Sequence, residues 1–176
     1  MNVKIAIIDF ISLCIIVISS VIFAVVPVMY CKSFISLPSE RIVRTERYRV
    51  PLYGVENLPT FAYGADICHH FMVLHDSNGS IYRISKIYKS MLRRSFIFCE
   101  KCENVVDALY RGLAEARLAA NLGLVRTVGV HNNVNVAVED IALFFQKEVV
   151  RPYMLFRDNC QHFCSRFERL ATKIDA

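Results

Sequence analysis

The sequence predicts an α+β domain, an antiparallel sheet packed on helices, preceded by one transmembrane helix. Three observations carry this. Of the first 31 residues 24 are apolar, and Phe10 to Tyr30 runs 21 residues without a charge. Beyond that run, short β-rich stretches surround the turn signal Asp76-Ser77-Asn78-Gly79, and two later stretches repeat apolar residues at helical spacing. The chain has 176 residues, 55% of them apolar, and a mean hydropathy of +0.36. It is too short for two ordinary domains and too apolar for a disordered chain.

A helix needs about 20 apolar residues to cross the hydrocarbon core, and the first 31 residues supply them. The run is too long for a signal peptide and lacks a small-x-small cleavage site. Lys4 precedes it, whereas Lys32, Arg41, Arg44, Arg47 and Arg49 follow. The positive-inside bias then predicts a single-pass membrane protein whose globular part faces the cytoplasm. Seven cysteines, an odd number without a disulfide framework, agree with a reducing compartment. The predicted division is a membrane anchor over 1–31, a basic linker over 32–60 and a domain over 61–176. Lys4 and Asp9 cancel, so the net charge of +5 lies on the globular part. It is dispersed, with no basic-aromatic interleaving, which suits a membrane surface and argues against a nucleic-acid partner.

The elements follow in order. Alternation through Ile42, Tyr48, Val50 and Leu52 allows one or two edge strands within the linker. His69 to Leu74 and Ser80 to Ile84, around Asn78-Gly79, read as a hairpin. Ser95 to Cys99 is a further strand. Asn104, with Asp107 three residues on, opens a helix over 105–121, with Gly123 as its stop. Leu124 to Val130 reads as a strand, Val138 to Val149 as a helix ending before Pro152, and Tyr153 to Phe156 as a short strand. A terminal helix over 160–172 carries Cys160, Phe163, Cys164, Phe167 and Ala171 on one stripe.

That last helix carries the chemistry. Asp158 or Asn159 can cap it, which leaves Cys160 in the first turn, where free N–H groups and the positive dipole end favour a thiolate. His162 points away along the same helix, and His70, at the start of a strand, is the better-placed base. Two other readings compete: Cys160 as an inert core residue of its apolar stripe, and a zinc site from Cys99, Cys102, Cys160 and Cys164.

Asn159-Cys160-Gln161-His162-Phe163, preceded by Tyr153 and Leu155, resembles the Asn-Cys-Glu-His-Phe signature of the lecithin:retinol acyltransferase-like family. That family is a branch of the NlpC/P60 superfamily of permuted papain-like folds. His70-Phe71-Met72-Val73-Leu74, before a Gly-bearing turn, is similar to the family's histidine strand, and the His-then-Cys order suits the permutation. The resemblance implies Cys160 as nucleophile, His70 as general base and an acyl-enzyme formed from an ester or amide. Membrane lipid or another acyl-bearing compound would be the substrate, with no cofactor and no metal. The family's orienting residue falls near Tyr82, whose hydroxyl can accept the imidazole N–H; Arg83 and His75 are the other candidates for that place, and His69 is the alternative to His70. Gln161 departs from the signature's Glu. Viral, baculovirus-like membrane members of this superfamily pair an apolar segment with such a domain, and there an inactive scaffold for envelope assembly is the alternative function.

Overall fold

The computed structural model describes residues 31–52, 68–89, 94–154 and 158–172. They form β1 (Cys31–Ile35), β2 (Ile42–Pro51), β3 (Cys68–Asp76), β4 (Ile81–Lys89), β5 (Arg94–Cys102), α1 (Val105–Glu115), a 3₁₀ turn (Leu122–Leu124), β6 (Arg126–Val136), α2 (Val138–Val149) and α3 (Cys160–Thr172). The strands make one sheet in the order β1-β5-β4-β3-β2-β6. β1 runs parallel to β5, and the other neighbours are antiparallel.

This corrects the expected fold class. The permuted papain-like domain, an antiparallel sheet behind a transmembrane helix, gives way to a mixed six-stranded sheet with three helices among the described residues. No helix among them is long and apolar enough to cross a membrane. The expected anchor lies outside the described residues but for Cys31, which is extended because it pairs with Ser95 of β5. The single-pass placement, and the cytoplasmic orientation that depended on it, thereby lose their support.

The stretch expected as a basic linker contains β2, which pairs with β3 on one side and β6 on the other. Its charges hid it. Thr45, Glu46, Arg47 and Tyr48 are all buried, so partners replace apolar alternation. Glu46 takes Arg44 at 2.7 Å and His75 at 3.0 Å, and Arg47 reaches Glu168 of α3 at 2.8 Å.

Strand alternation divides the core. Met72 and Leu74 of β3 join Ile84, Ile97 and Val136 beneath α2 and α3, which contribute Ile141, Phe145, Phe163 and Phe167. Phe71 and Val73 face the other way, with Tyr48 and Val50, beneath Ala108, Leu113 and Ala116 on and just beyond α1. The β3–β4 hairpin forms where the turn signal puts it. Asp76 Oδ1 accepts the N–H groups of Asn78 and Ser80 at 3.0 and 2.7 Å, and Gly79 takes the left-handed φ of 80°.

Helix α1 stops at Glu115, short of the expected 121, although no glycine is present. Arg117 turns left-handed (φ 61°), its N–H reaches the Ala114 carbonyl, and the Leu118 N–H reaches the Leu113 carbonyl, both at 3.0 Å. This is a Schellman stop with arginine in the usual glycine place, held by Leu118 packing on the core beneath the helix. α2 and α3 have the expected bounds. Beneath the end of α2, Lys86 is fully buried and faces Glu148 Oε2 at 3.4 Å and the carbonyls of Glu148 and Arg151 at 3.3 Å. A cation there complements the helix dipole.

α1 lies close on β3, because a Cβ at Gly112 would collide with the Phe71 ring. Gly112→Ala is therefore expected to lower stability by about 1–3 kcal/mol through overpacking. Helix propensity alone would instead add about 1 kcal/mol. Urea unfolding decides the sign, and an unchanged or higher midpoint would mean that α1 can lift freely.

Candidate active site

The site begins where two strands part. The β3–β4 ladder runs from His75↔Ile81 to Phe71↔Ser85 and ends there, although β3 continues to Cys68 against β2 and β4 continues to Lys89 against β5. The backbone groups of β3 beyond Phe71 on that side need other partners. Cys160 supplies one: its Sγ lies 3.4 Å from the His70 N–H and 3.7 Å from the Cys68 carbonyl.

Local sequence sets the sulfur in place. Asn159 caps α3, its Oδ1 accepting the N–H groups of Gln161 at 2.9 Å and His162 at 3.2 Å. Asp158, the other expected cap, pairs instead with Arg166 at 2.7 Å. Cys160 is thus the first residue of the helix, at its positive end.

The imidazole that meets the sulfur belongs to His69. Its Nε2 lies 2.9 Å from Glu115 Oε2, which leaves Nδ1 for the thiol. Glu115 is the last residue of α1, where the helix dipole disfavours a carboxylate. Arg83 and Ser85 of β4 offset this: Arg83 Nη1 reaches Oε2 at 2.6 Å, Arg83 Nη2 reaches Oε1 at 2.8 Å, and the Ser85 hydroxyl donates to Oε1 at 3.0 Å. Cys160, His69, Glu115 and Arg83 form one connected row from α3 through β3 and α1 to β4.

The charges along that row follow from the contacts. Burial pushes the Cys160 thiol up, but the His69 imidazole and the N–H groups of His70 and Gln161 outweigh it and hold the thiol below its ordinary value. Burial pulls His69 down, yet Cys160 and Glu115 push it up to about 9. Glu115, which burial would raise, is held at about 2 by His69 and Arg83. The row favours thiolate, imidazolium, carboxylate and guanidinium, charges that alternate in sign.

Of the residues expected from sequence, Cys160 stands at the β3–β4 gap, whereas the His70 ring and Tyr82 lie away from its sulfur. His70 lies on the opposite face of β3 from His69, and its Nδ1 accepts the Arg47 Nε–H at 3.2 Å. Burial, then Arg47, His69 and Arg49, pull it down to about 3, so its ring stays neutral and only its main-chain N–H serves the sulfur. Tyr82 is buried in the core beneath α2 and α3, paired across from Leu74. His75 sits six residues from His69 along β3, about 20 Å away, against Glu46. Arg83 stands one step further back than expected, holding the carboxylate that holds the histidine. The zinc alternative fails on the strand period: Cys99 and Cys102 of β5 lie in the cores on opposite faces of the sheet. Among the described residues no group of three or more metal-ligating side chains is assembled.

Glu115 is the residue that sequence reasoning missed. A signal existed: Glu115 falls three residues after Gly112 and seven after Ala108, on the buried stripe of its helix. An acid on such a stripe needs a buried partner.

Alkylation by iodoacetamide as a function of pH distinguishes the two histidines. In the intact protein the Cys160 midpoint is expected below 9.0, the ordinary thiol value. His69→Asn should move it upward, because the imidazolium that stabilises the thiolate is gone, while His70→Asn should leave it nearly in place. The reverse pattern would reassign the pair. Comparison of the chain with family models, with curated proteins and with solved structures finds no match to any of the three.

Proposed function

We propose that the protein is a thiol-dependent acyltransferase or hydrolase that acts on an ester or amide through Cys160. The carrying observation is the row of Cys160, His69 and Glu115, with Arg83 and Ser85 fixing its far end. The resemblance of Asn159 to Phe163 to the lecithin:retinol acyltransferase-like signature favours an acyl-bearing substrate, a lipid ester among them.

In the proposed reaction the Cys160 thiolate attacks the carbonyl carbon, forming an S–C bond and moving the carbonyl π pair onto oxygen. As the oxyanion collapses, the bond to the leaving group breaks, and the His69 imidazolium gives it a proton. The thioester remains, with His69 neutral. Water or an acceptor hydroxyl or amine then attacks the thioester as His69 takes its proton, which releases the acyl product and restores the thiolate and imidazolium. Glu115 keeps the ring oriented and favours its charged form, and Arg83 and Ser85 keep Glu115 from turning away.

A second reading is a catalytically inactive scaffold, such as a viral envelope-assembly protein. One observation favours it: Cys160 and His69 are only 5% and 4% exposed.

Stopped-flow release of nitrophenolate from p-nitrophenyl butyrate tests both. The acylation rate is expected to need the thiolate and the imidazolium together, so it rises above the depressed Cys160 pKa and falls through about pH 9 as His69 deprotonates. Glu115→Gln removes a carboxylate that raises His69, so the alkaline limb should move to lower pH. Cys160→Ala should abolish the burst. A wild-type rate equal to that of Cys160→Ala would leave the scaffold reading.

A further inference from the structure

The face of the sheet that α3 covers carries positive charge that the reaction does not use. Arg47 and Arg49 of β2 share that face with Met72 and His70, their partners on β3. Arg47 is fully engaged: it donates to His70, Ser165, Glu168 and the Gln161 carbonyl at 2.8 to 3.3 Å. Arg49 is not. It is half-buried, with His70 opposite on one side and Arg126 of β6 opposite on the other. Arg126 is exposed, and its Nη1 donates to the carbonyls of Gly123 at 2.8 Å and Val125 at 3.2 Å, which ties it to the turn before β6. Among the described residues neither Arg49 nor Arg126 makes an ion pair. Like charges directly opposite on neighbouring strands repel, and the positive end of α3 adds to them on the same face. The two arginines stand one and two strand spacings, about 5 and about 10 Å, from His70, whose N–H lies 3.4 Å from the Cys160 sulfur.

We infer that Arg49 and Arg126 form a carboxylate-binding subsite for the acyl part of the substrate. The preferred acyl group is then one half of a dicarboxylic acid, an ester or amide at one end and a free carboxylate at the other. This rests on the reading that Cys160 is acylated, and it narrows the substrate class. The direction of the chain follows from the proton transfer. His69 protonates the leaving group, so the leaving group lies toward the α1 face, where His69 is held by Glu115. The acyl chain runs the other way, past His70 and over the α3 face, where a spacer of a few methylenes brings its far carboxylate to Arg49. A guanidinium fork matches a carboxylate with two parallel N–H···O bonds. The bound anion also relieves the repulsion between the two arginines, so binding replaces an unfavourable pair with a favourable triad. No bond is made or broken at the subsite, and the chemistry at Cys160 is unchanged.

Mono-p-nitrophenyl adipate and its methyl ester test this in the full chain, because the two differ only in the charge of the far carboxyl group. Nitrophenolate release is followed at one pH and at subsaturating ester. Wild-type protein is expected to be acylated about tenfold faster by the free acid, and the advantage should shrink as salt rises from about 0.01 M to about 1 M. Arg49→Gln should remove most of the advantage while the methyl ester reacts within about threefold of wild type, and Arg126→Gln should remove a smaller part. Wild-type protein that takes both esters equally, or prefers the methyl ester, overturns the subsite and leaves the acyl-enzyme standing. An equal loss with both esters in Arg49→Gln also overturns it, since the residue then serves the fold or the sulfur and not a carboxylate. If neither these esters nor p-nitrophenyl butyrate gives acyl-Cys160, the proposed function fails, and the subsite fails with it.

Discussion

The parting of β3 and β4 beyond Phe71↔Ser85 governs the rest of the site. A strand that loses its neighbour in the interior keeps polar groups that must be satisfied, and here the first turn of α3 satisfies them. Because the sulfur sits in the gap between strands, it is within reach of a side chain on either face of the sheet. That is why His69, on the α1 face, can meet a cysteine carried by a helix of the other face. A closed ladder would have placed a wall of backbone between them.

Two charged networks keep the gap in shape, one on each face. On the α1 side Glu115 is gripped by Arg83, which also pairs with Glu100, and Arg111 pairs with Glu100 and Asp107. On the other side Lys86, Glu148, Arg166 and Asp158 link β4 and α2 to the residues just before Cys160. Arg47 adds a third tie, reaching Ser165, Glu168 and the Gln161 carbonyl of α3 while holding His70. Buried ion pairs add little net stability compared with apolar packing, but removing one partner costs several kcal/mol. Their effect here is positional: they fix where α3 begins relative to β3 and where α1 ends relative to β4.

Much of the scaffold was legible before any coordinates. The hairpin at Asn78-Gly79 and helices α2 and α3 follow from turn chemistry and apolar period, both of which act over a few residues. β2 was legible only as an edge strand, because Arg44, Glu46, Arg47 and Arg49 read as solvent-facing when their partners lie on distant elements. The end of α1 was hidden for a related reason: Arg117 adopts a left-handed φ that local propensity disfavours and that the packing of Leu118 maintains. β1 was lost to the anchor and linker readings because parallel pairing leaves no turn signal between the partners.

By itself the sequence determined that Cys160 opens a capped helix. A capping Asn159, a helix start and an order of histidine before cysteine are all local or linear facts. It also offered two adjacent histidines as partners for the sulfur. Which ring meets the sulfur was decided only by tertiary structure, since neighbouring residues of a strand point to opposite faces and the choice depends on where the ladder opens. The same holds for Glu115, which the end of α1 brings to His69 from 46 residues away in the chain.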